Sequence, residues 1–374
     1  MPAVITGTDM VTCLGDAEST VAALLDGASG AGPLRMGDAV KLGVGHGYPI
    51  ADDGPERVGR ASDWLTGCVA AAVKRSDTDL SAARVAVVVG TGLRELRGVE
   101  LWHCDGHPLG RRRLHFGDAV RAALPSAAEV WTVSNACAAS GYALAFATDL
   151  LEQDEADAVV VAGTDTMTES MLTMIGRIGG QAATRVRPFD ARRLGVLLGE
   201  GAAAVVLERD GADAGRRAVG RVLGVGVNCD AHHETAPDRR GIVAAMRDAH
   251  VRAGVTPDEV GLVLAHGTGT ALNDPTEAAA LAEVFAGTAP GPLVTGLKGA
   301  LGHTSGGAAL MSTLVALEAL RRGTVPPTVG LTEPIGEAAG LRLVAGSPVP
   351  TDATVAQVDG FGFGGVNAVA MVSL

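Results

Sequence analysis

Three short segments of this sequence combine reactive side chains with small residues that let a substrate reach them. Cys137 lies in Ser134-Asn135-Ala136-Cys137-Ala138-Ala139-Ser140-Gly141, between a β-branched run and an Ala/Leu-rich one. A cysteine where a strand gives way to a helix meets unpaired N–H groups and the positive end of the dipole, which lowers a thiol pKa. The plainer fate of a free cysteine is a small buried hydrophobe; the small neighbours favour the reactive reading. His266 opens His266-Gly267-Thr268-Gly269-Thr270. Its two glycines allow close approach, and its two hydroxyls suit a polar chain. Asp274 and Glu277 follow at the start of the next helical run. Lys298 and His303 share a Gly-rich apolar segment, residues 296–307. A lysine there needs a carboxylate partner, and Glu277 is the candidate. The rival role, a Schiff-base nucleophile, is disfavoured by the nearby histidines.

Gly360, Gly362 and Gly365 formally match a dinucleotide-binding glycine pattern. Only nine residues follow Gly365, and they read as a strand, so no phosphate-binding helix can form. A glycine loop with two exposed rings, Phe361 and Phe363, suits a mobile gate or a backbone N–H donor better.

The elements that must position these residues alternate. Strands are predicted at residues 3–7, 84–90, 129–135, 158–163, 202–208, 222–228, 260–266, 292–298, 354–359 and 367–374. Helices are predicted at 18–26, 60–74, 138–152, 241–253, 275–285 and 307–321. This alternation implies βαβ units, with continuous apolar strands covered on both faces. The strand ending at Cys137 and the strand ending at His266 hint at a duplication, each half presenting a reactive residue at a strand's carboxyl end. The polar stretch 209–217 sets the expected boundary, giving halves 1–212 and 213–374.

Composition narrows the field. With 374 residues, 47% of them hydrophobic and 3% aromatic, the core must be built of Ala, Val and Leu. Lys41, Lys74 and Lys298 are the only lysines, so Lys298 stands out. A net charge of −12 argues against nucleic acid and anionic membranes as partners. The five cysteines form no CxxC pair, which disfavours a disulfide framework or a metal site and points to a reducing compartment. No signal peptide is evident, and the longest apolar run falls short of the ~20 residues a bilayer requires. The expectation is a soluble, cytoplasmic protein.

Taken in order, these segments resemble the β-ketoacyl-acyl carrier protein synthase (ketosynthase) family of the thiolase-like superfamily. The resemblance runs from Ile5-Thr6-Gly7 and Cys13-Leu14-Gly15, through Cys137 and Ala162-Gly163-Thr164-Asp165, to Arg187-Pro188-Phe189-Asp190 and Gly199-Glu200-Gly201-Ala202. Asp230-Ala231-His232-His233, His266, Lys298, His303 and the closing Phe361–Asn367 loop complete it. It implies an α/β thiolase fold, with duplicated halves in five α-β-α-β-α layers, usually as a dimer. It also implies that Cys137 takes an acyl group from the phosphopantetheine of an acyl carrier protein, with no bound cofactor or metal. His266 and His303 would stabilise the enolate of a malonyl-type extender as carbon dioxide leaves. Lys298 and Glu277 would hold the histidines, and the N–H groups of Cys137 and Phe363 would form an oxyanion hole. Thr268 and Thr270 would contact the pantetheine arm; Phe361, Phe363 and Gly364 would border and gate the acyl site.

Neighbouring activities are separable. A degradative thiolase would carry a second cysteine near the C-terminus, whereas the last here is Cys229. Initiating synthases use Cys-His-Asn, and chain-length-factor subunits typically lack the nucleophile. Two departures stand out. The interval from Gly90 to Cys137 is short and carries Arg111, Arg112 and Arg113, read as a solvated surface run or, more sharply, as a patch for an acidic carrier protein. Leu264 stands where a polar residue is common. The compact chain fits a stand-alone enzyme of type II polyketide or specialised fatty-acid synthesis. The alternatives are a ketosynthase-like acyltransferase that does not decarboxylate, and a non-catalytic partner in a heterodimer.

Overall fold

The computed structural model describes residues 2–52, 54–80, 83–127, 129–178, 183–210 and 218–374. The expected boundary between halves falls on residues 211–217, outside the described ones.

Ten strands carry the architecture. The first five are β1 (Ala3–Thr12), β2 (Val85–Thr91), β3 (Glu129–Ser134), β4 (Ala158–Asp165) and β5 (Gly201–Arg209). The second five are β6 (Gly220–Cys229), β7 (Leu262–Ala265), β8 (Leu293–Gly296), β9 (Val355–Gly362) and β10 (Val366–Ser373). In space they run β3-β2-β4-β5-β1, then β6-β10-β9-β7-β8. The halves are topologically identical. In each, the second strand pairs in parallel with the third and fourth, and the fifth lies antiparallel between the fourth and the first. They join where Ala3, Val4 and Ile5 of β1 pair with Val222, Arg221 and Gly220 of β6. β2, β4 and most of β5 are buried on both faces, as parallel sheets clothed by helices must be.

Six helices matter to the site: α1 (Arg60–Ser76), α2 (Ala139–Glu152), α3 (Glu169–Ile178), α4 (Arg239–Ala253), α5 (Asn273–Val284) and α6 (Ala308–Arg322). α1 covers the outer face of the first sheet; α4 covers that of the second, with α5 packed beside α4 and sharing its core with β7 and β8. α2 and α6 pack together between the sheets, so α6 is buried around nearly its whole circumference. This is the five-layer α-β-α-β-α arrangement. Small residues make the layers thin enough: a Cβ on Gly90 of β2 would sit 2.5 Å from the backbone of Ser140 in α2.

The duplication pairs different strands from those the sequence suggested. Both β3 and β8 are third in their halves, and each leads to a 3-10 turn and then a middle-layer helix. The turns are Ala136–Ala138 and Ser305–Gly307, and each opens on a residue in the left-handed region, Ala136 (φ 48°) and Ser305 (φ 48°). Gly306 therefore occupies in the second half the place of Cys137 in the first. His266 follows β7, the counterpart of β2.

Candidate active site

Cys137, His266 and His303 meet on one cavity of about 780 Å³ at the carboxyl ends of β3, β7 and β8. Cys137 occupies the middle of the turn before α2, so it precedes the helix instead of belonging to its first turn. The strained φ of Ala136 turns the chain sharply and points the next side chain outward. The side chain keeps partial exposure to the cavity.

The thiol does not have the depressed pKa that a helix terminus would give. Burial pushes it up to about 11, and the Lys298 ammonium and the N–H groups of Phe363 and Cys137 only partly offset this. The N-terminus of α2, two residues further on, does not outweigh desolvation by the apolar surroundings. At rest Cys137 is therefore a thiol.

His266 and His303 face each other edge to face, with ring centroids 5.3 Å apart. Burial is the main reason that both titrate well below the ordinary histidine range, with Lys298 adding to it. Both rings are therefore neutral. The Lys298 ammonium stands 3.3 Å from His266 Nδ1 and also donates to the His266 carbonyl. An ammonium has no lone pair to offer, so Nδ1 accepts and the ring proton resides on Nε2. His303 is fixed by its backbone, which pairs with Leu197 and Gly199. Both of its ring nitrogens are buried without a hydrogen-bond partner.

Lys298 opens a short helix, Lys298–Leu301, just past β8 rather than ending the strand. Its expected ion pair with Glu277 is replaced by a different division of labour. Glu277 accepts the N–H groups of His266 (2.6 Å) and Gly267 (2.8 Å) and the Asn273 amide (3.0 Å). It thereby fixes the backbone that carries His266 and acts on Lys298 through space. Burial raises Glu277 to about 7 and lowers Lys298 to about 8. Asp274 holds the neighbouring turn, accepting from Phe189 N–H at 2.7 Å and Gly269 N–H at 3.0 Å.

Thr268 and Thr270 border the cavity with their hydroxyls 2.9 Å apart. The two phenylalanines differ. Phe363 is exposed at the rim, whereas Phe361 is buried against His266, with ring centroids 5.6 Å apart. Only one exposed ring is thus available as a gate. Gly364 does not line the cavity; its N–H donates to the Glu234 carbonyl at 2.8 Å and anchors the loop. The loop joins β9 to β10 as a hairpin, which agrees with rejecting a dinucleotide site.

The sequence assigns no role to two structural features of the site, although Asp165 lies in a segment that carries the resemblance. One is Asp165, buried at the end of β4. It accepts from Thr91 Oγ1 (2.7 Å) and from the N–H groups of Gly92 (2.8 Å), Leu93 (2.8 Å) and Gly306 (2.7 Å). It thus ties the half that carries Cys137 to the turn after His303. The other is an apolar arm of the cavity, walled by Met171, Met174 and Ile175 of α3 with Leu194 and Leu197. The arginine run 111–113 forms an exposed 3-10 turn in which Arg112 pairs with Asp118. All five cysteines are free, and no group of three or more metal-ligating side chains is present among the described residues. Among those residues, no helix is long and apolar enough to cross a membrane.

Residues 48–212 match the N-terminal domain of the β-ketoacyl synthase family, and residues 219–332 match its C-terminal domain. The chain belongs to the β-ketoacyl synthase family. It is 32% identical to nodulation protein E of Rhizobium meliloti, over 77% of this chain and 75% of that protein. It is also 29% identical to 3-oxoacyl-[acyl-carrier-protein] synthase 2 of Coxiella burnetii, over 99% and 98% of the two. The ishigamide ketosynthase/chain length factor superposes over 100% of this chain and 98% of that one, at 29% identity and a TM-score of 0.89. A complex described as a type II polyketide synthase acyl-carrier protein with its ketosynthase, bound to the hexaketide, shares the fold at a TM-score of 0.89 over 99% and 98%, with 20% identity. As a β-ketoacyl synthase the chain is an acyl-transferring enzyme, and the cavity around Cys137 is its candidate centre.

Proposed function

We propose that this ketosynthase joins a Cys137-bound acyl group to a malonyl-type extender, with both substrates delivered on the phosphopantetheine of an acyl carrier protein. The observation that carries the reading is the pairing of a nucleophilic thiol with two neutral histidines on one cavity, one of them with both nitrogens free.

In the first step Cys137 Sγ attacks the incoming thioester. The new C–S bond forms, the bond to pantetheine sulfur breaks, and the Cys137 proton passes to the departing thiolate. The N–H groups of Cys137 and Phe363, which both act on the sulfur, would cradle the oxyanion of the intermediate. In the second step the extender's C–C bond to its carboxylate breaks, carbon dioxide leaves, and the electron pair enters an enolate. His266 Nε2–H and His303 would donate to that enolate oxygen. Neutral imidazoles suit this task, because they donate without drawing the substrate carboxylate into a tight ion pair. The enolate carbon then attacks the Cys137 thioester. The C–C bond forms, the C–S bond breaks, and the thiolate takes up one proton from solvent. Lys298 fixes the His266 tautomer, and Glu277 fixes its backbone.

Thr268 and Thr270 lie at the rim, where a pantetheine arm would pass, while the Met171–Ile175 arm would hold the acyl chain. Strand β3 ends the sheet. An open edge of this kind favours pairing with a second copy or a ketosynthase-like partner, so we assign the protein a dimeric state. Carbon dioxide release from malonyl-carrier protein, stoichiometric with a 3-oxoacyl product, tests the reading. Acyl transfer without that release would leave a plain acyltransferase.

A further inference from the structure

Beneath the two histidines lie three carboxyl groups and one ammonium: Asp274 and Glu277 of α5, Asp359 of β9, and Lys298. All four are buried, so the three carboxyls cannot all ionise against a single cation without heavy cost. Their hydrogen bonds say which one keeps a proton. Glu277 accepts two backbone N–H groups and one amide, and Asp274 is similarly supplied by Phe189, Gly269 and Asn273. Each N–H donor favours the ionised form. Asp359 has a single donor, Gln357 Nε2, at 2.8 Å to Oδ1. Its Oδ2 is buried with no partner. Gln357 is committed on its far side as well, its Oε1 lying 2.9 Å from His250 Nε2.

We infer that Asp359 is a positioning residue held as a neutral carboxylic acid, which keeps the histidine site receptive to an extender that carries its own carboxylate. Burial above all, and then the Glu277 carboxylate, push Asp359 well above the usual carboxyl range; Gln357 and Lys298 oppose this more weakly. The groups bearing on it are Glu277 of α5, Lys298 of the turn after β8 and, through Gln357, His250 of α4. Asp274 acts in turn on Glu277 and Lys298. Once Glu277 has lost its proton above about 7, with Asp274 ionised and Lys298 still protonated, the cluster carries one net negative charge. A second, at Asp359, would repel the carboxylate that must approach His303. Gln357, Asp359 and Phe361 alternate along β9, so one strand face runs from the outer helix layer to the ring packed on His266. Asp359 can therefore act on the site without touching substrate.

The inference rests on the malonyl reading for its purpose, but its core can be tested separately. Infrared difference spectroscopy of the whole protein at neutral pH should show a protonated-carboxyl stretch that is absent in Asp359→Asn. The same stretch should move to higher frequency in Gln357→Met, which removes the lone donor and gives a second readout should Asp359→Asn not fold. As pH rises from neutral, KM for malonyl-carrier protein should climb severalfold more in the native enzyme than in Asp359→Asn. KM for an uncharged acyl donor should not separate the two. Absence of the stretch, or identical malonyl profiles in both proteins, overturns the inference. Loss of carbon dioxide release with the stretch intact would instead overturn the proposed reaction.

Discussion

Lys298 Nζ lies 3.3 Å from His266 Nδ1, and this contact makes His266 a donor toward the cavity. Burial holds Lys298 near 8 against an ordinary 10.5. Its charge, and with it the His266 tautomer, is therefore lost as pH rises past about 8. Carbon dioxide release from the pre-acylated enzyme should fall along that limb, and Lys298→Ala should be low and flat across it. The stability effect has the opposite sign. With a folded value below the unfolded one, the contribution of Lys298 is full above 10.5 and lost as pH falls through about 8. A limb that persists in Lys298→Ala would contradict the assignment.

Asp165 should matter for stability more than for chemistry. Asp165→Ala strands the Thr91 hydroxyl and three N–H groups in the interior. Each stranded donor costs roughly 1–3 kcal/mol, so a net loss of about 2–4 kcal/mol is expected after relaxation. Burial raises Asp165 from 3.8 to about 6, so its contribution is greatest below 3.8 and declines as pH rises through about 6. Denaturant unfolding of the two proteins at several pH values should show the gap narrowing in that direction.

Gly306 occupies the place that Cys137 holds in the other half. A Cβ there would sit 2.3 Å from Gly92 N and from the Thr91 carbonyl carbon, and backbone cannot yield as a side chain does. Gly306→Ala should lower stability by about 1–3 kcal/mol. It should also impair decarboxylation more than Cys137 acylation, because the displaced turn follows His303. Thermal unfolding paired with the two partial reactions checks this.

The apolar arm should set chain length. Met174→Trp adds bulk to the wall formed by α3. Short acyl donors should still load Cys137, while long ones are excluded and products shorten. Mass spectrometry of carrier-bound products would show it; an unchanged product range would place the chain elsewhere.

Much of this was legible in the sequence, for identifiable reasons. All ten strands of the two repeated units contain β-branched or apolar runs, and each was expected at or overlapping the place where it lies. Cys137, His266 and His303 each follow a strand, and the topology brings such ends to one crevice. What escaped was what depends on the surroundings of a side chain. The helix context of Cys137 argued for a thiolate, but the thiol is buried and desolvation outweighs the helix terminus beside it. The need of a buried lysine for a carboxylate pointed Lys298 at Glu277, but that carboxylate is taken up by backbone N–H groups that no pattern displays. Phe361 and Phe363 look alike in the chain; β9 ends at Gly362, so Phe361 is held on the strand and buried beside His266 while Phe363 stands on the turn at the rim. In the sequence Asp165 reads only as part of a turn motif and Asp359 as a strand end; their importance comes from what packs against them.

The central claim is that Cys137 carries the acyl group while the histidines carry the decarboxylation. Intact-protein mass spectrometry after incubation with acyl- and malonyl-carrier proteins, with carbon dioxide release recorded in parallel, tests it most directly. In Cys137→Ala the acyl adduct should vanish. In His303→Ala the adduct should form normally, while carbon dioxide release falls by about 10²–10³, the loss expected when one oxyanion donor is removed. An adduct that survives in Cys137→Ala, or carbon dioxide release undiminished in His303→Ala, would contradict the account.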